Sequence, residues 1–442
     1  ALIVAGTETL TLGFDDTTGD GPVSSLTVSA GASLSVSAGG VISGPTTNSG
    51  TAVNAGTLGD VTNTATGSFG NSGTVGDVVN DGSFSSSGTA GDIVNTGTLV
   101  STGTIGGLTS TGGSVGIEGT AGGDVSITGG TIDLTGALTG VGAFTLGTGV
   151  ALAVDNDLDA TAFTNGGSVT IAGGSTLTVD SGGGTFTSTA SGSLAVDSGG
   201  RLDGSVVHDG TGPGSLVVGG EITGDVAANQ SMTLLATGTI GGTLTVAAGA
   251  TVTAEGGGIG AVANGGSFEL TTTAPVVVSG DFDNAGSLAA TGGVSTALTL
   301  GGTFTSTGAI AGGPGRLTID AGLIDLNAGT TLSGNVALVG DIENAASLIY
   351  GPGGNVLFGG PAGNTLAGSF TNAASGSLTL GAALLAGGNA IDNDGGTLAI
   401  VTGGSFSGDV ENRNGGLLGV AAGGSIGGAL SNSAAATLAG DV

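Results

Sequence analysis

The most regularly spaced residues that could do chemistry are three aspartates. Asp60, Asp77 and Asp92 occupy the same place in three copies of one pentapeptide, GDVTN at 59–63, GDVVN at 76–80 and GDIVN at 91–95. If the copies stack, the carboxylates lie roughly 5 Å apart, and like charges at that distance are unfavourable unless water or a shared cation screens them. Carboxylate oxygens are ligands for Ca²⁺. Two alternatives stay open: a low-affinity calcium site, or exposed aspartates that accept hydrogen bonds from turn amides.

A second group of carboxylates is the sequence DNDLD, which contains Asp155, Asp157 and Asp159. It is the other candidate for calcium, although it is not an EF-hand. That loop requires Gly at position 6 and Glu at position 12, where this chain has Ala160 and Gly166. Calcium is the one cofactor that the sequence suggests, and no organic cofactor is expected.

Sugar hydrolysis would require two carboxylates about 5–10 Å apart. DNDLD could supply them, as could Asp392 and Asp394 in IDNDGG, but Asp and Asn are also the usual residues of tight turns. Lyase chemistry requires a cation beside a base. The three arginines, Arg201, Arg316 and Arg413, fall in repeats too distant to share a site. We therefore expect no catalytic residues and no enzyme, with a polysaccharide-active β-helix lyase or hydrolase as the alternative.

The elements that must hold these residues are short strands in a tandem repeat. The register of the pentapeptide can be followed from 59 to 428 with a period of 15 to 20-odd residues, which is typical of a solenoid. Between 75 and 108 the apolar residues recur at intervals of 3, 6 and 6, so each coil turns three corners. Because 3.6-residue periodicity is absent and glycine is frequent, almost no helix is expected.

These features predict an all-β fold, a single elongated parallel β-solenoid of about 20 three-sided coils with about 15–23 residues each. Residues 1–48, with a polar turn at 15–22, are assigned to an N-terminal cap and the first strands. Residues 49–442 are assigned to the repeats. The largest loop excursion is expected near 349–364, where two Gly-Pro turns interrupt the register.

Residues that recur at one register position should stack in ladders inside the solenoid. The predicted aromatic ladder consists of Phe144, Phe163 and Phe186. The predicted amide ladders consist of Asn63, Asn80 and Asn95, and of Asn372, Asn393, Asn412 and Asn432. The single histidine, His208, stands where the pentapeptide has Asn, which favours a substitute in such a ladder over a catalyst.

Composition excludes several classes of partner. The formal charge is −30, with three arginines and no lysine, so clusters of cations that could bind nucleic acid or an anionic membrane are absent. The chain has no cysteine, and no apolar run approaches the length of a membrane-spanning helix. The opening ALIVAG, without an initiator Met, suits a mature terminus after removal of a signal peptide.

Repeats such as GTVGDVVNDGSF and GTAGDIVNTGTL resemble those of bacterial autotransporter passengers and filamentous-haemagglutinin-type adhesins. The resemblance implies a right-handed parallel β-helix carried to the cell surface. It favours a secreted or surface-bound, non-enzymatic protein, such as an adhesin shaft or the subunit of a filament or surface layer. The expected partners are a host or matrix surface, a polysaccharide, and further copies of the chain. Because GALSNSAAATLAGDV at 428–442 keeps the repeat style, head-to-tail self-association is expected there.

Overall fold

The fold is an all-β parallel solenoid of about 21 turns, which confirms the fold class predicted from the repeat period. The computed structural model describes residues 2–13, 23–212, 215–351, 354–359 and 364–442. Two compact units make up the chain, Ala1–Leu216 with Gly220–Gly224 and Val217–Gly219 with Asp225–Val442. The helical element of the described residues is a short 3₁₀ turn at Asp180–Gly182.

The strands of the first half are short, and most contain two to four residues. In chain order they are Leu2–Val4, Thr9–Leu12, Leu26–Val28, Ser33–Val36, Val41–Ile42, Thr46–Asn48, Thr51–Asn54, Thr57–Leu58, Val61–Asn63, Ser68–Asn71, Thr74–Val75, Val78–Asn80, Ser83–Ser86, Thr89–Ala90, Ile93–Asn95, Thr98–Ser101, Thr104–Ile105, Leu108–Ser110, Ser114–Ala121, Val125–Ile127, Thr131–Leu146, Ala151–Val154, Leu158–Asn165, Ser168–Ile171, Thr176–Val179, Thr185–Ser188, Ser193–Val196, Arg201–Asp203, Ser205–His208, Leu216–Val218 and Glu221–Ile222.

The second half includes two strands that continue around corners, and these are the two longest of its described part. The strands are Val226–Ala228, Met232–Leu234, Thr239–Val246, Thr251–Ala254, Gly257–Asn264, Ser267–Leu270, Val276–Val278, Phe282–Asn284, Ser287–Ala290, Thr296–Leu300, Thr303–Ser306, Ala309–Leu326, Thr331–Asn344, Ser347–Tyr350, Leu357–Phe358, Phe370–Asn372, Ser377–Leu380, Ala383–Leu384, Ile391–Asp394, Thr397–Ile400, Ser405–Phe406, Val410–Arg413, Leu417–Val420, Ser425–Ile426, Leu430–Asn432 and Ala435–Leu438.

One coil of the most regular stretch shows how the sequence makes three sides. Its strands are Thr74–Val75, Val78–Asn80 and Ser83–Ser86, and each pairs in parallel with the strand that begins fifteen residues later. Successive residues of a strand face opposite sides, so the buried residues alternate with exposed Thr, Ser or Val. Glycine is required at the corners, because a Cβ added to Gly88 would lie 2.1 Å from the carbonyl oxygen of Gly73.

The core consists of side chains stacked from one coil to the next. Phe144, Phe163 and Phe186 are fully buried and occupy paired positions on consecutive coils. The ring centroids of Phe144 and Phe163 are 4.8 Å apart with an interplanar angle of 7°. Those of Phe163 and Phe186 are also 4.8 Å apart, with an angle of 19°. The three rings form one continuous stack at the spacing of neighbouring strands.

Parallel pairing of the coils begins in the region assigned to the cap. Leu2–Val4 pairs with Leu26–Val28, and Thr9–Leu12 pairs with Ser33–Val36. Leu26–Val28 in turn pairs with Thr46–Asn48. The described parts of residues 1–48 therefore have the same strand arrangement as the repeats that follow. The predicted polar turn at 15–22 lies outside the described residues.

The predicted loop excursion near 349–364 is described in part, since 352, 353 and 360–363 lie outside the described residues. Asn355 holds the described portion against the strand Ser347–Tyr350 that precedes it. Its Oδ1 accepts the backbone N–H of Ile349 at 2.8 Å, and its Nδ2 donates to the carbonyl of Ser347 at 3.2 Å. The strand Leu357–Phe358 then resumes parallel pairing with Ala337 and Leu338.

Candidate functional site

The asparagines of the pentapeptide form a row of buried amides in the first unit. Asn63, Asn80 and Asn95 are fully buried at the ends of paired strands. Asn63 Nδ2 donates to Asn80 Oδ1 at 2.8 Å, and Asn80 Nδ2 donates to Asn95 Oδ1 at 2.7 Å. The same nitrogens also donate to Ser83 O and Thr98 O, each at 2.9 Å. Each amide is thus bonded to the next coil twice, which offsets the cost of its burial.

The row has a distinct beginning and end. At its beginning Asn48 Oδ1 accepts the backbone N–H of Gly50 at 3.2 Å, while its Nδ2 donates to Asn63 Oδ1 at 2.8 Å. At its end Asn95 Nδ2 donates to Ser110 Oγ at 3.1 Å, and that hydroxyl donates to Gly112 O at 2.9 Å. A hydroxyl can accept one bond and donate another, so serine ends the row without leaving an amide unsatisfied. Ser86 and Ser306 likewise accept a hydrogen bond from the asparagine of the preceding coil, Asn71 and Asn284 respectively.

A longer row of amides runs through the second unit. It comprises the side-chain bonds Asn344–Asn372 at 2.9 Å, Asn372–Asn393 at 2.7 Å, Asn393–Asn412 at 2.6 Å and Asn412–Asn432 at 2.6 Å. The sequence prediction named the last four residues but not Asn344. Its signal is present, because GDIEN at 340–344 and GDFDN at 280–284 are further copies of the pentapeptide.

The aspartates at the corners also bond to the next coil. Asp60 Oδ1 accepts the backbone N–H of Asp77 at 3.0 Å, Asp77 Oδ1 accepts that of Asp92 at 2.9 Å, and Asp92 Oδ1 accepts that of Gly107 at 2.7 Å. The same bond recurs at Asp124, Asp157, Asp225, Asp281, Asp341 and Asp409. These side chains lie on the surface, so each aspartate joins two coils at the edge of the sheet.

Gly76 and Gly91, which each come directly before a corner aspartate, make room for the aspartate of the preceding coil. A Cβ added to Gly76 would lie 2.4 Å from Asp60 Oδ1, and one added to Gly91 would lie 2.3 Å from Asp77 Oδ1. Both separations are well inside van der Waals contact, so a side chain there would displace the carboxylate. The Gly-Asp pair is therefore an interlocking unit that spans two coils.

Five of the six candidate calcium ligands accept a hydrogen bond within the protein. One oxygen each of Asp60, Asp77 and Asp92 bonds to a backbone amide, as described above. In DNDLD, Asp157 Oδ1 accepts the N–H of Thr176 at 2.9 Å, and Asp155 Oδ1 accepts a bond from the neighbouring Asn156 at 3.2 Å. Asp159 lies on a strand, opposite Thr178. Across the part of the chain that the structure describes, no three His, Cys, Asp or Glu side chains gather as a metal-binding group, and calcium binding stays a prediction.

The carboxylates of IDNDGG are bound by an arginine of the next coil. Arg413 Nε donates to Asp392 Oδ1 at 2.9 Å, and Arg413 Nη2 lies 3.3 Å from Asp394 Oδ2. The hydrogen bond and charge of Asp392 raise the pKa of Arg413. Arg201 is held in a similar way, with its Nη1 2.8 Å from Glu221 Oε2 on the paired strand. These two arginines, like the aspartates, connect successive coils.

His208 lies in the position of the pentapeptide asparagine, opposite Ser188, and is fully buried. Its Nε2 is 2.9 Å from Ser215 Oγ, and that hydroxyl donates to Gly210 O at 2.8 Å. The imidazole tautomer sets the direction of the His208–Ser215 hydrogen bond. Sequence reasoning missed Ser215, since no spacing marks a contact made by a loop.

Comparison with known proteins finds no counterpart: no family model, curated protein or solved structure matches the chain. No helix within the described ranges has the length and apolar character needed to cross a membrane. The function must therefore be inferred from the geometry. The recurring feature of the described residues is that the Asn, Asp and Arg side chains, which could otherwise bind a ligand or take part in catalysis, form hydrogen bonds or ion pairs from one coil to the next.

Proposed function

We propose that this chain is a non-enzymatic structural solenoid outside the cell, the shaft of an adhesin or a subunit of a filament or surface layer. The observation that carries the proposal is that the Asn and Asp side chains of the pentapeptide form hydrogen bonds to the next coil. Asn63 and Asn80 bond to the amides of the next coil inside the core, and Asp60 and Asp77 bond to its backbone at the corners. Side chains that repeat in this way extend a scaffold coil by coil.

The charge of the chain supports an extracellular scaffold. A formal charge of −30 keeps neighbouring copies apart in dilute salt and lets divalent cations bridge them. The repeat style shared with autotransporter passengers and filamentous adhesins supports the same location.

Surface labelling of intact source cells tests the location. Antibodies raised against the purified chain are expected to label unlysed cells, and external protease should remove the signal. A cytoplasmic protein serves as the control for leakage. Labelling that requires lysis would contradict the proposal.

Turnover of polysaccharides tests the absence of catalysis. The chain is incubated with pectate, alginate and neutral glucans, and new reducing ends are measured. The control variant carries Asp155→Asn, Asp157→Asn and Asp159→Asn. We expect no new reducing ends from either protein. Turnover that the triple substitution abolishes would establish the alternative, a polysaccharide-active lyase or hydrolase.

The proposed partner is a second copy of the chain, which associates head-to-tail with the first. Asn412 and Val420 are buried, whereas Asn432 and Leu438, which occupy the same positions one coil later, are exposed. A further coil supplied by a second copy would cover them and pair with their strands. Sedimentation velocity over a dilution series should show species that grow with concentration, and Leu438→Lys should reduce them. A single species of monomer mass at every concentration would contradict the proposal.

A further inference from the structure

One corner of the second unit is closed by a turn with the sequence Asn-Gly. It follows the strand Val410–Arg413, and the backbone N–H of Gly416 donates to the carbonyl of Arg413 at 2.9 Å. Between these two residues, Asn414 has a φ of 51° and Gly415 a φ of 84°. Positive φ at both central residues is what a type I′ turn requires, and Asn-Gly is a sequence that meets this requirement readily. The shape of the corner therefore explains why Asn and Gly stand here.

Asn-Gly is also the dipeptide most open to spontaneous deamidation. The backbone nitrogen after the asparagine attacks the side-chain carboxamide carbon, and ammonia leaves as a cyclic succinimide forms. Water then opens the ring at either carbonyl and leaves aspartate or isoaspartate. Glycine permits the attack most readily, because it has no side chain and a permissive backbone. In a folded protein the reaction is fastest where the carboxamide can move and the backbone N–H is not hydrogen-bonded.

The chain contains three Asn-Gly sequences, each followed by a second glycine, and two of them are protected. These two lie at 165–167 and 264–266. Both asparagines are buried, and their amides donate to Ser193 O and Asn284 Oδ1. The N–H of the glycine that follows donates to a carbonyl of the preceding coil, at 2.7 Å in the first sequence and 2.8 Å in the second. Neither asparagine can react until its coil opens locally.

The third sequence, at 414–416, is neither buried nor bonded through the N–H of its first glycine. Asn414 and Gly415 are exposed, and the N–H of Gly415 donates to no acceptor within the described residues. A Cβ added to Gly415 would meet nothing within 4 Å, so the turn is open to water. The carboxamide donates from Asn414 Nδ2 to Asp394 Oδ1 at 2.6 Å, but this bond is exposed, and water competes there for both partners.

We propose that Asn414 is a site of spontaneous deamidation. Gly415 N bonds to Asn414 Cγ, the Cγ–Nδ2 bond breaks, and the amide group leaves as ammonia with the proton from Gly415 N. One water then hydrolyses the succinimide, so the product has a carboxylate in place of the amide. No oxidant, cofactor or enzyme takes part. The modification is therefore independent of the scaffold role proposed above.

The product is expected to weaken the contact between this coil and the one before it. Asp394 Oδ1 accepts from Asn414, and Asp394 Oδ2 lies 3.3 Å from Arg413 Nη2. Aspartate at position 414 has no proton to donate at neutral pH and adds a second carboxylate beside the first. Isoaspartate also lengthens the main chain within the turn by one carbon, which disturbs the bond between Gly416 and Arg413. Modified protein should therefore melt at a lower temperature.

Peptide mapping of the aged full chain tests the site. The protein is kept at mildly alkaline pH for several weeks, digested at acidic pH and mapped by mass spectrometry, and isoaspartate is detected with an isoaspartyl methyltransferase. We expect Asn414 to convert about tenfold or more faster than Asn165 and Asn264, since those two must wait for local opening. In urea, where the shared Asn-Gly-Gly sequence governs the reaction, the three should convert at similar rates. Conversion of Asn414 in the folded protein no faster than that of the other two would overturn the proposal.

Thermal melting of variants tests the consequence for stability. Asn414→Asp imitates one product and should lower the melting temperature, and adding Asp394→Asn should recover part of the loss because donor and acceptor are then exchanged. Asn414→Gly is the matched control for ageing, since glycine keeps the positive φ and removes the carboxamide. The original chain should lose more in melting temperature during the incubation than Asn414→Gly does. An unchanged melting temperature in Asn414→Asp, or equal losses on ageing, would overturn the consequence, and either comparison decides it if the other variant fails to fold.

Discussion

At the scale of single residues, each buried amide of the rows makes several hydrogen bonds to neighbouring coils. Asn80 accepts from Asn63 and donates to both Asn95 and the carbonyl of Thr98. Asn80→Ala should therefore lower the free energy of unfolding by about 2–4 kcal/mol, because it removes a side chain and leaves two buried amides each without one partner. Urea denaturation monitored by circular dichroism measures the loss.

The control for that prediction is Thr62→Ala, which truncates an exposed residue on the adjoining coil and should change the stability by less than about 0.5 kcal/mol. A loss in Asn80→Ala no larger than the loss in Thr62→Ala would show that the amide row does not stabilise the fold.

Tyr350 reports on the core at high pH. It is buried, its hydroxyl donates to the carbonyl of Ala383 at 3.1 Å, and burial raises its pKa above the usual 10.0. Because the folded protein favours the neutral form, this contribution to stability is complete below about pH 10 and is lost as pH rises through the folded-state pKa. The chain has one Tyr and no Trp, so ultraviolet titration isolates this group. We expect the pH midpoint of Tyr350 ionisation to be higher in the folded protein than in the protein unfolded by urea. Equal midpoints would contradict the prediction.

At the scale of the coil, the Gly-Asp interlock can be tested by a double-mutant cycle. Asp124 Oδ1 accepts the N–H of Ala143 at 2.8 Å, and a Cβ added to Gly142 would lie 2.3 Å from the same oxygen. Gly142→Ala should cost about 1–3 kcal/mol through this collision, and Asp124→Ala about 1 kcal/mol through the lost hydrogen bond. In the double variant the collision is absent, so its loss should be smaller than the sum.

Urea denaturation of the four proteins of that cycle gives the interaction energy. The other neighbours of the added Cβ are at least 3.4 Å away, which makes the carboxylate the main obstacle. Strictly additive losses would show that the glycine is required for another reason.

The sequence allows the coils to be predicted, but not all of their contacts. Period, inward apolar residues and corner glycines are local signals, so three-sided coils and the Phe163 stack follow from spacing. The sequence predicts, as one of two alternatives, that Asp60 accepts from a turn amide, but which amide it meets depends on the next coil. The bond from His208 to Ser215 depends on the path of a loop. These contacts arise between coils, and a single-sequence pattern does not encode them.

At the scale of the whole chain, charge should make stability respond to calcium. Millimolar calcium is expected to raise the melting temperature, and a chelator to reverse the shift, if the cation binds the folded state in preference. Asp77→Asn with Asp92→Asn is the informative variant, because Asn keeps an oxygen for the backbone amide and removes the charge. A smaller calcium shift in this variant supports binding at these corners. If calcium does not raise the melting temperature of the original chain, or raises it equally in both proteins, calcium binding at these corners is contradicted.

The direction of the amide rows has an electrical consequence. The four asparagines of the first row, Asn48, Asn63, Asn80 and Asn95, each donate towards the next coil, so the dipoles of their side-chain amides point the same way. Strand dipoles in a sheet largely cancel, whereas these add, and each bond polarises its neighbour in the low dielectric of the core. A neutral ladder thus becomes a polarised one, with its oxygen end at Asn48 and its N–H end at Asn95, which donates to Ser110. The backbone N–H of Gly50 donates to the oxygen end, and the Ser110 hydroxyl accepts from the N–H end. Both ends of the row are therefore satisfied by the protein itself.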